Sequence, residues 1–256
     1  MFLSLHLRAT YTAVKKNLAT DWIEKLNQLK KEEFTLEATS DWNEIVHMVL
    51  FPMYTEPYEL VRESFQSLVK DDYPLKKIDI VLALEEAAGE GAQETGRKIK
   101  EEFKEYFGDF LITTHPQGQE GEIPGKGSNE AHAGAIAYKE LVQDKDIDPK
   151  KVLVSVFDID TQIPKGYFGR LTHAYLTAEN PLRKIYQPVP FFTNNVYETP
   201  ALGRVISFSS TFWQMMQQSR PERLTTFSSQ SAPLQLLVDV GFWHKHVVSE
   251  DSRIFW

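Results

Sequence analysis

The stretch 152–164, VLVSVFDIDTQIP, joins an apolar run to two aspartates that stand one residue apart. The apolar run has the length of a buried strand that is closed by a turn. Residues two apart in an extended segment point the same way, so Asp158 and Asp160 converge if the backbone stays extended, whereas a turn directs one of them elsewhere. Adjacent carboxylates repel unless a cation lies between them, and Mg²⁺ commonly binds one or two carboxylates together with substrate phosphates. A solvated turn, where aspartate is common, explains the same letters and is favoured when the pair is taken alone.

Strand and helix patterns alternate on both sides of this stretch, from residue 45 to about residue 178. A strand at 45–51 is closed by Pro52, and Pro57 lies near the first turn of the next helix, where its missing N–H costs nothing. The remaining segments, in chain order, are a strand KIDIVLALEE, a helix ETGRKIKEEFKEYF, a short strand DFLITTHP, a helix NEAHAGAIAYKELV, the strand KVLVSVFDID and a helix KGYFGRLTHAYL. This alternation favours an α/β fold with a mostly parallel central sheet and helices on its faces.

The two ends of the chain follow different patterns. Apolar residues at spacings of three and four predict a helix over about 8–37, most simply one that packs on the domain, with a membrane-surface helix as the minor alternative. Beyond about residue 185, KIYQPVPFF predicts a strand, GRVISFSSTFWQMMQQS a helix and FWHKHVV a β-rich stretch. We therefore expect an N-terminal helical arm at 1–40 and a single domain at 41–256.

Composition argues against several classes of protein. A formal net charge of −8 disfavours a general nucleic-acid binder, which carries a basic face. The chain has no cysteine, so disulfides, thiolate metal sites and cysteine nucleophiles are absent. No apolar run approaches the roughly 18–20 residues of a membrane span. With 42% hydrophobic residues the chain can bury a substantial core, and we expect a soluble domain cut from a longer protein.

Polar or acidic residues follow three of the predicted strands. In open α/β sheets, ligands bind beyond the carboxyl ends of the strands, so the coincidence of three clusters carries more weight than any one of them. The three clusters are Pro52, Tyr54 and Glu56 after the first strand, Glu85 and Glu86 after the second, and the aspartate pair at the end of the strand KVLVSVFDID.

Two further segments carry weaker signals. The glycine-rich loop 118–127 enters a helix whose first N–H groups suit anions, and Lys126 adds a point charge, although a mobile surface loop explains it equally well. Glu250 and Asp251 follow a β-rich stretch, and a carboxylate there near a sugar hydroxyl would act as a general base, although an exposed acidic turn is the simpler interpretation. His244 and His246 alternate as metal ligands on a strand do, but a half-exposed strand accounts for them.

The order of these clusters resembles that of the family 2 glycosyltransferases, which have the nucleotide-sugar-binding fold called GT-A. The resemblance covers about 45–256 and rests on the segments VLFPMYTEPYELVRESFQSLVKDDYP, IDIVLALEE, PGKGSNEAHAGAIA, VFDIDTQIPKGYFGRL and TFSSQSAPLQLLVDVGFWHKHVVSED. Thr55 stands where that family has asparagine, and Glu85-Glu86 replaces its paired aspartates. The resemblance implies a Rossmann-like mixed sheet with a nucleotide half at about 41–162 and an acceptor half at about 163–256.

The resemblance also implies a role for each cluster. Asp158 and Asp160 would hold Mg²⁺ or Mn²⁺, with Asp158 also near the ribose or sugar. Asp251 would be the general base of an inverting sugar transfer, and Glu250 would orient it or bind the acceptor. The other implied contacts are Pro52, Tyr54, Glu56, Glu85, Glu86, Lys126 and Asn129 for the nucleotide, and Ser228, Ser229 and Trp243 for the acceptor. Trp213 and Trp243 would stack on a sugar ring, with a place in the core as the commoner alternative.

The implied partners are a nucleotide-sugar donor and a saccharide or lipid-linked acceptor, with no nucleic acid. A UDP-sugar is favoured, and a GDP-sugar is the alternative. Members of the family that make polysaccharides at membranes continue into transmembrane helices. We therefore expect a cytoplasmic domain at the inner face of the cell membrane, attached through segments outside this chain.

Two other functions stay open. A non-catalytic nucleotide-sugar-binding or interaction domain is kept in view by the Glu85-Glu86 replacement. A sugar nucleotidyltransferase is disfavoured, because its glycine-rich basic loop is expected after the first strand, where this chain has PMYTEP.

Overall fold

A mixed sheet of five strands lies at the centre of the computed structural model, which describes residues 2–193, 199–220 and 227–246. The strands are β1 (Val46–Met53), β2 (Ile78–Glu85), β3 (Phe110–His115), β4 (Val152–Val156) and β5 (Gln230–Pro233). β1 pairs in parallel with both β2 and β4, β3 extends the sheet in parallel beyond β2, and β5 runs antiparallel to β4. The strand order β3-β2-β1-β4-β5 confirms the predicted α/β class with its mostly parallel sheet.

Helices lie between and around these strands. In chain order they are α1 (Phe2–Leu18), α2 (Trp22–Asn27), α3 (Tyr58–Leu68), α4 (Gly89–Phe103), α5 (Lys126–Ala137), α6 (Tyr167–Thr177), α7 (Ala201–Gln218) and α8 (Leu234–Val240). A π-helical turn, Tyr138–Gln143, continues α5. Among the helices of the described ranges, none is long and apolar enough to cross a membrane.

Two apolar layers cover the two faces of the sheet. On one face, Val49 and Phe51 of β1 belong to a core that includes Phe65 of α3 and residues of α4 and α6. On the other face, Met48 and Leu50 belong to a second core, built with alanines of α5 and with α8. Because successive side chains of a strand point to opposite faces, a strand that is buried on both faces is apolar throughout. That is why β1 and β2 are mainly apolar in the sequence, with His47 and Asp79 as the buried polar residues inside them.

The prediction of one continuous N-terminal helix over 8–37 is wrong, because the structure has two separate helices there. Asp21 interrupts it by capping α2, where its carboxylate accepts a hydrogen bond from the Glu24 N–H at 2.9 Å. Across the break, Trp22 donates its indole N–H to the Asn17 carbonyl at 2.9 Å. α1 packs against α7, whereas α2 packs against α6, so the predicted arm divides between two neighbours in the fold.

The first strand continues through Pro52 instead of ending there. The Leu50 carbonyl accepts a hydrogen bond from the Phe157 N–H at 3.1 Å, so Leu50 faces β4, and Pro52, two residues on, faces the same side. Pairing of β1 with β4 has already ended at that point, while pairing with β2 continues to Met53. The missing N–H of Pro52 therefore costs the sheet no hydrogen bond.

Two predicted strands near the C-terminal end are wrong. The segment 184–192 makes only an isolated bridge, between Tyr186 and Ser231. Residues 242–246 form no strand, and Phe242 has a left-handed backbone with a φ of 65°. Apolar and β-branched residues favour extended backbone, but within the described residues neither segment has a neighbouring strand along its length with which to pair.

A buried carboxyl in β2 makes the stability of the fold depend on pH. Asp79 accepts a hydrogen bond from the Asp109 N–H at 2.9 Å, and burial raises the pKa of Asp79 to about 6. This folded-state pKa lies above the unfolded value of about 3.9, so the contribution of Asp79 to stability is full below the unfolded pKa and is lost as the pH rises through 6.

We expect Asp79→Asn to remove this pH dependence, because the amide oxygen keeps the hydrogen bond and carries no charge. The free energy of unfolding of the variant should exceed that of the wild type by roughly 1–3 kcal/mol at neutral pH and by little in mild acid. Thermal denaturation across this pH range measures the difference, with the exposed Asp144→Asn as the control. Parallel pH profiles of wild type and Asp79→Asn would contradict the assignment.

Candidate functional site

The carboxyl ends of β1 and β4 form the crevice in which the candidate site lies. After β1 the chain adds β2 on one side, and it later returns to add β4 on the other, so the strand order switches between β1 and β4. In open α/β sheets such a switch point is where ligands bind. Glu56 follows the end of β1 by three residues, and Asp158 follows the end of β4 by two. The chain therefore brings carboxylates from two distant segments to one crevice.

The aspartate pair lies in a turn and not in an extended segment. The Thr161 N–H donates a hydrogen bond to the Asp158 carbonyl at 2.9 Å, which closes the turn directly after β4. Ile159, between the two aspartates, is buried in the core below the sheet end and anchors the turn. Asp158 is partly exposed and Asp160 is exposed. Of the two backbone alternatives for this pair, the turn is the one that the structure has.

The carboxylates of this turn repel one another. The pKa of Asp160 is raised above its ordinary value by desolvation first and then by the negative charge of Asp158, with a smaller contribution from Glu56. Lys126 acts in the opposite direction, because its positive charge lowers the same pKa. The crevice thus gathers three carboxylates, and a cation that entered would relieve their mutual repulsion.

The first residue of α5 supplies the positive charge. Gly125, whose φ of 144° favours glycine, turns the chain into the helix, and Lys126 follows it. The Lys126 Nζ lies 2.6 Å from Asp158 Oδ1 and 3.6 Å from Oε1 of the fully buried Glu130. The lysine therefore stands between the carboxylate of the turn and a carboxylate one helical turn along α5. The sequence predicted Lys126 at the start of a helix. Its ion pair with Asp158 is visible only in the folded structure.

Asn129 lies beneath this helix entrance and not in the crevice. It is buried, and its amide donates a hydrogen bond to the Ala83 carbonyl of β2 at 2.9 Å. Ser128, also buried, donates to the Ile123 carbonyl at 2.6 Å. These two bonds fix the N-terminal turn of α5 against the sheet, and so they fix the position of Lys126. The nucleotide contact that the resemblance implied for Asn129 stays a prediction.

The donor set at the turn is of the kind that Mg²⁺ and Mn²⁺ use. Both ions bind carboxylate oxygens. Mg²⁺ usually completes its coordination shell with water and substrate phosphates and not with protein ligands alone. Within the described ranges, no third His, Asp or Glu joins Asp158 and Asp160 in a metal-binding cluster. The pair therefore suits a metal that arrives with a phosphorylated ligand, and the Lys126 ammonium lies beside the pair.

The remaining predicted nucleotide residues border the same edge of the sheet. Tyr54 is 48% exposed, and its backbone N–H donates to the Glu56 carboxylate at 2.7 Å, which orders the loop after β1. Pro52 is partly exposed within β1. Glu85 ends β2, and Glu86 accepts a hydrogen bond from the Gln117 N–H at 2.8 Å. This last contact ties the end of β2 to the glycine-rich loop.

The predicted acceptor residues occupy several environments. Ser228 is partly exposed, and Ser229 is buried with its carbonyl accepting a hydrogen bond from the Gln187 amide at 2.7 Å. Trp243 is only 4% exposed and lies in the core layer beside α5, whereas Trp213 on α7 is 58% exposed. His244 and His246 are exposed and are not on a strand. Glu250 and Asp251 lie outside the described residues.

A network that the sequence did not predict joins the glycine-rich loop to the segment after α8. The Glu122 carboxylate contacts His115 Nε2 at 2.8 Å and Lys245 Nζ at 2.6 Å. The Ile123 N–H donates to the Lys245 carbonyl at 2.8 Å. The three side chains are separated by up to 130 positions in the sequence, so no local spacing signals the contact. The loop and the chain that leads toward Glu250 and Asp251 are thus held together.

Comparisons with known proteins bear on the fold. No protein-family model and no curated protein matches the chain. Among solved structures it is similar to the mannosyltransferase PcManGT from Pyrobaculum calidifontis, in complex with GDP-Man and Mn²⁺, at 17% sequence identity with a TM-score of 0.53. That match covers 98% of this chain and 62% of the other, so this chain spans less than two thirds of the mannosyltransferase. A weaker likeness, with a TM-score of 0.47 at 14% identity, is to S. aureus TarS 1-349 and covers 82% of this chain and 54% of that one.

The fold of this chain is thus of the Rossmann-like kind found in a glycosyltransferase. The expected mixed, mostly parallel sheet with flanking helices is present, and in the described residues it has five strands. At 17% identity the similarity supports only the fold, so the function has to be inferred from the residues of the site.

The segment after the aspartate turn is held by the end of α3. The buried Asp71 carboxylate accepts hydrogen bonds from the Tyr73 N–H at 2.8 Å and from the Tyr167 N–H, at the start of α6, at 3.1 Å. Ser67 Oγ accepts a further bond from the Ile163 N–H at 2.9 Å. These bonds fix the backbone between the turn and α6.

We expect Asp71→Ala to lower the free energy of unfolding by about 2–4 kcal/mol, because the buried Tyr73 N–H and the partly buried Tyr167 N–H lose their acceptor. Chemical denaturation measures this loss. The neighbouring Asp72→Ala is the control and should cost under about 1 kcal/mol, since its ion pair with the exposed Lys165 is long, at 3.8 Å. Equal losses in the two variants would refute the anchoring role of Asp71.

Proposed function

We propose that this chain is the catalytic portion of a glycosyltransferase that moves a sugar from a nucleotide diphosphate to an acceptor hydroxyl with a divalent metal. The observation that carries the proposal is the ion pair of Lys126 with Asp158, beside Asp160, at the β1/β4 switch point. A lysine next to paired carboxylates suits a diphosphate bound together with a metal ion. The presence of GDP-Man and Mn²⁺ in a mannosyltransferase of similar fold supports this choice of ligand.

The donor half extends over about 41–162 in this proposal. Asp158 and Asp160 would hold Mg²⁺ or Mn²⁺, which would offset negative charge on the leaving diphosphate. Lys126 exchanges the Asp158 carboxylate for a phosphate oxygen, and the N–H groups at the start of α5 add to the positive field. Tyr54, Glu56 and the other residues at the ends of β1 and β2 meet the nucleoside, for which uridine is favoured and guanosine is the alternative.

The acceptor half extends over about 163–256. Asp251 takes the proton from the acceptor hydroxyl, whose oxygen bonds to the anomeric carbon. The bond from that carbon to the diphosphate oxygen breaks, and its electron pair leaves with the diphosphate. One such displacement inverts the sugar, so an α-linked donor gives a β-linked product. Glu250 orients Asp251 or binds the acceptor with Ser228 and Ser229.

The acceptor in this proposal is a saccharide or a lipid-linked saccharide. The site of action is the cytoplasmic face of the cell membrane, within a longer protein. The network of Glu122 with His115 and Lys245 supports one joint site, because it ties the loop before α5 to the chain that leads toward Asp251.

A non-catalytic nucleotide-sugar-binding domain is the second candidate. It is favoured by Glu85 and Glu86, whose side chains are each one methylene longer than the aspartates of the family that the sequence resembles. The two candidates share the donor site and differ in turnover, so binding and turnover have to be measured on the same variants.

The donor site predicts metal-dependent nucleotide binding. Calorimetric titration of UDP and of GDP, with and without Mn²⁺, should show one nucleotide binding tightly only with the metal. Asp158→Ala/Asp160→Ala should weaken that binding by more than the roughly 10- to 100-fold that loss of an outer-shell partner costs. Asp144→Asn, an exposed aspartate near the opposite ends of the strands, is the control. Retention of metal-dependent binding by the double variant would rule out the assigned ligands.

The proposed role of Asp251 as the general base predicts an effect on turnover that is separate from nucleotide binding. Asp251→Asn should reduce transfer, or hydrolysis of the sugar nucleotide, by about 10²- to 10⁴-fold, the usual contribution of a general base, while nucleotide binding is kept. Asp239→Asn, exposed on α8, should leave both unchanged. A wild-type chain that binds the nucleotide and turns over no donor with any acceptor would instead favour the binding domain.

A further inference from the structure

Glu130 is a fully buried carboxylate one helical turn beyond Lys126 on α5. Its Oε1 lies 3.6 Å from the Lys126 Nζ, so the two side chains form an ion pair within the helix. A carboxylate withdrawn from water is costly unless a positive charge or hydrogen-bond donors compensate it. The proposed function gives no role to Glu130, although its partner Lys126 is at the centre of the proposed donor site.

The stability of α5 does not explain this ion pair. Lys126 is the first residue of the helix, where the positive end of the helix dipole opposes a cation. A lysine that precedes its glutamate by four residues is also the less favourable of the two orientations of such a pair. The N-terminal end of a helix instead suits an anion, and an ammonium there adds to the attraction. The placement of Lys126 therefore favours ligand binding over helix formation.

The two carboxylates beside Lys126 differ in their access to a metal ion. The Asp158 side chain is 43% exposed and lies 2.6 Å from the Lys126 Nζ, whereas the Glu130 side chain is 0% exposed. In the proposed donor site a divalent ion occupies Asp158, and its double positive charge repels the nearby ammonium. Lysine carries its charge on a flexible four-carbon stem, so the repelled ammonium is able to turn out into water. Glu130, which the ion does not reach, attracts the ammonium with or without the metal.

We propose that Glu130 is a positioning residue for the donor diphosphate: it keeps the Lys126 ammonium in the crevice after the metal ion has displaced that ammonium from Asp158. The phosphate oxygen then meets an ammonium that is already oriented, so less conformational freedom is lost on binding. This inference rests on the proposed function, because it assumes that the metal and the diphosphate bind at Asp158 and Asp160. The alternative is that Glu130 only packs beneath α5, in which case its effect on binding does not pass through Lys126.

A double-mutant cycle on nucleotide binding separates these two roles. Calorimetric titration at saturating Mn²⁺ uses UDP or GDP, whichever the wild type binds. Lys126→Gln should weaken binding on the order of tenfold, and Glu130→Gln should weaken it by a similar factor, because the ammonium is either absent or misplaced. Lys126→Gln/Glu130→Gln should bind no more weakly than Lys126→Gln alone, since Glu130 then has no ammonium to position. Asp79→Asn, at a buried carboxyl near the other end of β2, is the matched control and should bind as the wild type does.

Circular dichroism establishes that each variant is folded. Glu130→Asp keeps the carboxylate but withdraws it by one methylene, so its affinity should lie between those of the wild type and Glu130→Gln, and it serves in the cycle if Glu130→Gln does not fold. Wild-type affinity in the folded Glu130→Gln would overturn the inference and leave the proposed function intact. Losses that multiply in the double variant would also overturn it, because they would assign Glu130 a structural role only. A folded wild type that binds neither nucleotide would refute the proposed function and this inference with it.

Discussion

Parallel pairing of β1 on both of its edges is the constraint on which the site depends. It places the carboxyl ends of β1, β2 and β4 along one edge of the sheet, and the switch of strand order between β1 and β4 opens a crevice there. Glu56, Lys126 and Asp158 are far apart in the sequence and meet only because those strands end together. The charges of the site lie beyond the strand ends, because the strands that lead to it are buried on both faces and are mainly apolar. Asp79 near the start of β2 is the exception, and burial raises its pKa.

Much of this fold could be predicted from the sequence, because burial on both faces demands continuous apolar runs, and such runs with helical spacing between them mark a parallel sheet. The polar clusters at strand ends were predictable for the same reason. The ion pair of Lys126 with Asp158 was not, since it joins segments that are distant in the chain. The burial of Asn129 was not predicted either. A polar residue at the start of a helix does not reveal from the sequence that its side-chain amide donates a hydrogen bond to the Ala83 carbonyl.

The spacing of apolar residues also does not determine which face of a helix packs against the domain. The spacing of apolar residues predicted α7, but it did not tell that the face of Thr211 and Met215 turns inward while the more apolar face of Ile206 and Trp213 turns outward. A helix of a soluble domain usually has the reverse arrangement.

Diffraction at the manganese absorption edge, from crystals grown with Mn²⁺ and the nucleoside diphosphate that binds, tests the donor site most directly. The proposed site predicts one anomalous peak between the diphosphate oxygens and the carboxylates of Asp158 and Asp160, with the Lys126 ammonium on a phosphate oxygen. A nucleotide bound elsewhere on the chain, or a nucleotide bound at the β1/β4 crevice with no peak at these aspartates, would contradict the assignment of this turn as the metal site of a glycosyltransferase.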